Sequence, residues 1–202
     1  MDTTLVLVRH AATKATEERI LDGHSPMPLS DRGYAQAVAL AEHLAQYRPI
    51  SLRSSEIRRA SDTAAIVGQR SGVRHSLDAA LNERDFGAFA GLSRQELIDR
   101  RERLGSSNQD PTNYWEGISG VESDEEVWRR ISPLLTSLLT LAGTHVLVTH
   151  ASVMKVLLYR FLDIPAGRPR CFYVGPASAF VFKLIAHGLL ELHEFWRPPT
   201  DL

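Results

Sequence analysis

Two short runs constrain this chain more than any other feature: Leu5–Val8 near the start, and His145–Thr149 two-thirds of the way along. Both are apolar and rich in β-branched residues, without the polar alternation of a half-exposed strand. That is the pattern of strands buried on both faces. Both break off at a histidine, Arg9-His10 after LVLV and His150 after VLVT. Strands of this kind need helices on either side, and the remaining sequence supplies them.

Residues 11–29, which include GHSPMPLS, read as a loop. Ser30 or Asp31 can cap a helix from about Arg32, with Ala37, Leu40, Ala41, Leu44 and Ala45 at helical spacing and Pro49 as its stop. Ile50–Arg53 and Val73–Leu77 are expected strands. Between them, Glu56–Arg70 is a helix with Ile57, Ala60, Ala64 and Val67 on one face, followed by Gly72. Leu92–Arg103 is expected to be helical and residues 105–121 to be a loop. Ser123, with Glu126 three residues on, makes a capping box for a helix to about Leu141. Val153–Leu162 is helical and ends at Pro165 and Gly167. Phe172–Val174, Ala179–Ile185 and Leu189–Phe195 are expected strands, the last two a hairpin around Ala186-His187-Gly188. The expected fold is α/β: three α/β/α layers with a mainly parallel central sheet and an antiparallel edge strand. No linker or repeat divides residues 1–202, so one domain is expected.

Composition excludes several alternatives. With 44% hydrophobic and 23% charged residues, the chain is neither disordered nor fibrous. At 202 residues it can bury roughly 70% of its unfolded surface, so neither disulfide nor metal is needed for folding. The net charge of −1 argues against a protein that grips a nucleic-acid backbone. The single cysteine, Cys171, fits a reducing compartment. No apolar stretch reaches the ~18 residues of a membrane span. The N-terminus lacks the basic and apolar regions of a signal peptide, so a cytoplasmic location is expected.

In a sheet of this class, ligands bind beyond the carboxyl ends of the strands, where His10 and His150 are expected. The segment Ser54–Ala64 (SSEIRRASDTA) runs from a strand through two serines into a helix with arginines in its first turn. Cations there oppose the helix dipole, so an anion is called for, either a bound one or Glu56. Ser54 and Ser55 fit equally as caps or as substrate contacts. Arginine forks match phosphate oxygens, and a neutral imidazole flanked by cations can attack phosphorus. The constellation points to phosphoryl transfer through a phosphohistidine.

In these motifs the sequence resembles the histidine phosphatase superfamily, also called the phosphoglycerate mutase-like family, over nearly its whole length. Arg9-His10-Ala11-Ala12-Thr13 is similar to the family's R-H-G-x-T. Pro28-Leu29-Ser30, Gly33 and Gln36-Ala37 follow as PLT, G and QA. SSEIRRASDTA is close to SS-x-L-x-R-A-x-x-T-A, which singles out Arg59 over Arg58. Leu81-Asn82-Glu83 with Phe86-Gly87, then Gly120, Glu122-Ser123 and Arg130, and finally VLVTHA against V-x-V-S-H-G, complete the set. The resemblance implies His10 as nucleophile, Arg9, Arg59 and His150 on the phosphoryl oxygens, and Glu83 as proton donor and then base. It also implies Thr13, Thr16, Gly23, Arg84 and Ala151 as substrate-binding residues, and a small phosphorylated metabolite as partner. No metal or other cofactor, nucleic acid or membrane is expected; the oligomeric state is not legible.

The family's glycine after each histidine is alanine here, at Ala11 and Ala151. This raises the question of a backbone that needs positive φ. Its usual Asn is Thr16, and its G-x-W-E-G reads Gly87-Ala88-Phe89-Ala90-Gly91. A phosphatase is favoured, with Phe86, Phe89, Tyr114 and Trp115 as an apolar wall for the leaving group. GHSPMPLS resembles α-ribazole phosphatases, and LNERDFG resembles the mutases' LNERHYG; the mutases' insertion and C-terminal tail have no counterpart in this length. A non-catalytic phosphate binder should have lost His10, Arg59, His150 or Glu83, and all four are present. His24, His43, His75, His145, His187 and His193 lack metal-ligand spacing and receive no role, and Trp115, Trp128 and Trp196 read as core or loop anchors.

Overall fold

The computed structural model describes residues 2–103, 115, 118–165, 173–185 and 188–199. Its sheet has six strands: β1 (Thr3–Arg9), β2 (Ser51–Ser54), β3 (His75–Leu77), β4 (Gly143–Thr149), β5 (Ala179–Leu184) and β6 (Leu190–Trp196). They lie in the order β3-β2-β4-β1-β5-β6. β1 to β4 are mutually parallel, whereas β5 pairs antiparallel with β1 and β6 antiparallel with β5. The mainly parallel sheet with an antiparallel edge is as the sequence suggested: β5 runs against β1 to β4, and β6 returns beside it as the second strand of the expected hairpin.

The helices are α1 (Lys14–Glu17), α2 (Asp31–Leu44), α3 (Arg58–Ser71), α4 (Arg94–Arg103), α5 (Asp124–Leu139) and α6 (Ala151–Phe161). Alternation along β1 explains the layering. Leu5 and Leu7 pack with α5 and α6, while Val6 and Val8 pack with α2 and α3, so both faces are dry as the sequence required. A third cluster, Phe86, Phe89, Leu97 and Val121 with Trp115 against it, sits under α4. Among the described residues, no helix is long and apolar enough to cross a membrane.

Two local readings change. The expected loop 11–29 contains α1, because Thr13 and Thr16 form a reciprocal capping box although Thr16 is neither Glu nor Gln. Tyr173 and Val174 form no strand; Phe172 lies outside the described residues, as do most of the 105–121 loop and Ala186-His187 of the hairpin turn. His145 sits within β4, buried, bonded to Ser51 Oγ at 2.7 Å and the Leu141 carbonyl at 3.1 Å, a structural role. The boxed cap of Ser123 and Glu126 on α5 is present as read.

Candidate active site

The parallel register brings the two histidines together. Arg9 of β1 lies opposite Thr149 of β4, and the His10 amide donates to the Thr149 carbonyl at 2.9 Å. The two imidazoles end 5.1 Å apart between centroids, both buried. The loop after His10 is held from two sides. Ala11 N–H donates to Thr63 Oγ1 on α3 at 3.0 Å, and Ala12 N–H donates to Gln36 Oε1 on α2 at 3.2 Å. Gly33 is required there, since a Cβ would stand 1.9 Å from the Ala12 carbonyl oxygen. The G and QA of the second motif, and the Thr of SDTA, thus act by fixing the His10 loop.

His10 Nδ1 is 2.7 Å from the Ala11 carbonyl oxygen. A carbonyl can only accept, so Nδ1 carries the ring proton and Nε2 keeps a bare lone pair. Arg59 Nε donates to that Nε2 at 3.2 Å. The rest of the Arg59 guanidinium bonds the Asp22 carboxylate at 3.2 Å, the Ser25 carbonyl at 3.3 Å and the Gly23 carbonyl at 2.6 Å. Arg58 points outward instead, to Asp62 along the helix. No acid stands in the first turn of α3, so the dipole conflict seen in the sequence is met by Asp22, 37 residues away. Burial, then the charges of Arg9 and Arg59, hold His10 well below its ordinary value of 6.5. His150 is held low by burial, then by His10, Arg59, Arg9 and His24. Both are neutral at physiological pH. Burial also draws the Arg9 guanidinium down to about 10, against the pull of Glu83.

Glu83 is set by backbone: its carboxylate accepts from Arg84 N–H at 2.9 Å and from Ser152 N–H, at the start of α6, at 3.5 Å. Arg130 braces the segment before it, bonding the Ala80 and Asn82 carbonyls at 2.6 and 2.8 Å while paired with Glu122. That explains the Gly-Glu-Ser…Arg motif as scaffolding. Arg9, His10, Arg59 and Glu83 line one cavity of about 630 Å³.

The family's sequence profile, histidine phosphatase superfamily (branch 1), matches residues 5–194. The chain belongs to that superfamily. It is 32% identical to a glucosyl-3-phosphoglycerate phosphatase from Mycobacterium tuberculosis, over 98% of this chain and 88% of that one. It is 30% identical to a probable phosphoglycerate mutase from Salmonella paratyphi C, over 81% and 77%. The solved mycobacterial glucosyl-3-phosphoglycerate phosphatase in complex with VO3 superposes with a TM-score of 0.82 at 30% identity, covering 97% of this chain and 99% of that chain.

The expected substrate-binding set divides in this histidine phosphatase fold. Thr16, Gly23 and Ala151 line the cavity. Thr13 is fully buried and its hydroxyl serves the α1 cap, so it does not reach the cavity. Arg84 points away: it pairs with Asp124 and donates to the Glu122 carbonyl at 2.9 Å. Neither Ala11 nor Ala151 has positive φ, so both alanines sit without backbone strain; Ala151 is simply the first residue of α6. Gly23 does have φ +56 and abuts Ala90. Phe86 and Trp115 do form an apolar wall, with rings 4.9 Å apart; Phe89 stands behind it, and Tyr114 lies outside the described residues.

Sequence reasoning missed Asp22 and four cations that line the cavity: Arg19, Arg94, Arg101 and Lys155. Lys155 carried a signal, as a cation one turn after Ala151 amid the apolar residues Val153, Met154, Val156 and Leu157. Asp22 carried none.

Proposed function

We propose that this chain is a phosphomonoesterase that works through a phosphohistidine on His10, without a metal. One observation carries the reading: a buried, neutral His10 with its bare Nε2 turned to Arg59 in a cavity that also holds Arg9 and Glu83. The ester phosphate replaces the Asp22 carboxylate on the Arg59 guanidinium and also takes the Arg59 Nε–H from His10, which frees Nε2 to attack phosphorus. The P–O bond to the leaving group breaks as the N–P bond forms, and Glu83 passes to the departing oxygen a proton that it has taken from the incoming ester or from solvent. Glu83 then takes a proton from water, whose oxygen attacks phosphorus and releases His10 and inorganic phosphate. Arg9, Arg59 and His150 offset the charge on the equatorial oxygens; cations and donors already in place need little reorganisation as that charge grows.

The leaving group we infer is itself anionic and part sugar-like or apolar. Arg19 and Arg94 line the cavity as exposed cations in addition to Arg9 and Arg59, beside Leu21, Leu92 and Trp115. A phosphoglycerate ester fits that chemistry, as the name of the mycobacterial relative suggests.

The test is phosphate release from an aryl phosphate and from a glycosylated 3-phosphoglycerate in excess chelator, beside His10→Ala. Turnover of both by the wild type, a lower KM for the second and none in the variant are expected. Undiminished turnover by His10→Ala would refute the nucleophile. The mutase-like relative favours one further reading, phosphoryl transfer between the hydroxyls of 3-phosphoglycerate. Isomerisation with a bisphosphate primer and no phosphate release would support it over hydrolysis.

A further inference from the structure

Behind His150 runs a chain of hydrogen bonds that the reaction above leaves unused. The backbone N–H of Glu56 donates to Asn82 Oδ1 at 2.9 Å, and Asn82 Nδ2 donates to the Glu56 carboxylate at 3.2 Å, which fixes the amide's orientation. With Oδ1 as acceptor, the Ser55 hydroxyl, 2.8 Å away, has to spend its one proton there. Ser55 Oγ also accepts from Ile57 N–H at 3.0 Å. Its last neighbour is His150 Nε2 at 2.8 Å. Ser55 has no second proton to give, so Nε2 carries the hydrogen and donates. A neutral imidazole holds one ring proton. His150 Nδ1 is therefore bare, and it is buried with no hydrogen-bond partner among the described residues.

A bare nitrogen repels a phosphate oxygen, so the tautomer matters. We propose that Ser55 and Asn82 are positioning residues that lock His150 as the Nε2–H tautomer, so that its Nδ1 holds a phosphoryl oxygen only after taking up a proton. Phosphate binding and protonation of His150 become one coupled event. The proton comes from solvent when the ligand arrives as a dianion. The groups facing His150 explain why the ligand is needed. Arg9 and His10 approach from the end of β1, Arg59 from α3 and His24 from the loop before α2; each works against a second ring proton, as does burial. Glu83, in the loop after Leu81, is tied to Ser152 N–H in the first turn of α6 and, through its carbonyl, to His24 Nε2 at 2.6 Å. A phosphate dianion offsets the Arg9 and Arg59 charges at once. The proposal rests on the phosphatase reading in one respect: the anion that triggers proton uptake is a phosphate in this cavity.

The test is long-range 1H–15N spectroscopy of the histidine rings in the full chain, in phosphate-free buffer, with the His150 signals assigned by their loss in His150→Gln. Free protein is expected to show Nε2 protonated and Nδ1 bare. Saturating inorganic phosphate is expected to protonate both. Ser55→Ala removes the acceptor from Nε2. Asn82→Ala instead frees the Ser55 hydroxyl to turn and donate to Nε2, and it reports should Ser55→Ala not fold. Either variant is expected to populate the Nδ1–H tautomer in the free state. Either should also bind inorganic phosphate without the coupled proton uptake, because an Nδ1–H already donates to the phosphoryl oxygen. A free protein with the proton on Nδ1, a Nδ1 that stays bare under saturating phosphate, ring signals that ignore phosphate, or variant spectra identical to wild type would each overturn the proposal. Absence of turnover with the tautomer and its phosphate response intact would refute the phosphatase reading alone.

Discussion

Lowering the pH should destabilise this protein through His10 and His150, by an amount that can be worked out from their burial. Both rings are held neutral in the folded state, well below the ordinary value, by burial first and then by neighbouring cations. In the unfolded chain they titrate near ~6.5. Below that value the unfolded chain binds more protons than the folded one, so this part of the stability is complete above ~6.5 and is lost as pH falls toward the folded values. Each ring costs about RT ln(1 + 10^(6.5 − pH)), or ~1.4 kcal/mol at about pH 5.5 and almost nothing at about pH 7.5. Two rings together cost ~2.7 kcal/mol, which for a domain of this size lowers Tm by about 5–11 °C. The assay is thermal unfolding followed by circular dichroism at both pH values, without phosphate, for the wild type and the double variant His10→Asn, His150→Asn. Other groups titrate over the same range, so the difference between the two proteins carries the result. The double variant should be less pH-sensitive by roughly that ~2.7 kcal/mol. Equal losses in both proteins would mean that the two imidazoles are not buried neutral, and would undo the nucleophile argument with it.

Three further outcomes are expected. Gly33→Ala should destabilise the fold by about 3 kcal/mol or more, the upper range for overpacking, because its Cβ meets the Ala12 carbonyl; a wild-type urea midpoint would refute that close approach. Arg84→Met should cost about 1–3 kcal/mol, discounted because its partner Asp124 is half-exposed, yet leave KM for an aryl phosphate within about twofold. A large KM change would return Arg84 to the substrate site. Arg19→Ala with Arg94→Ala should raise KM for a carboxylate-bearing phosphoester about two- to tenfold relative to an aryl phosphate, the scale of exposed charge pairs; equal effects on both esters would remove these residues from leaving-group recognition.

The fold and site were legible where a local pattern sufficed. Buried strands declare themselves by unbroken apolar runs, so β1 and β4 and the histidines after them could be read directly. Ser30, Ser123 and Glu126 declare caps because capping is settled within four residues. The expected strand at Phe172–Val174 shows the limit: a short β-prone run becomes a strand only if a neighbour pairs with it, and Tyr173 and Val174 have none. α1 escaped because its box uses Thr16 where the usual signature has an acid or amide. Strand order was equally out of reach, since β1 pairs with β4 and β5, both more than a hundred residues on.

The sequence by itself determined the chemical inventory: which residues can attack phosphorus, hold its oxygens and move a proton, and which elements carry them. Tertiary structure decided what each atom faces. It turned Arg59 inward onto Asp22 and His10, and Arg84 outward onto Asp124. It put the His10 proton on Nδ1 and the His150 proton on Nε2, through the Ala11 carbonyl in one case and Ser55 in the other. Those choices belong to hydrogen bonds between groups as far as 95 residues apart in the chain, whose partners exist only once the sheet has aligned its strand ends. Residue type is local information, whereas proton position is set by neighbours that folding brings together.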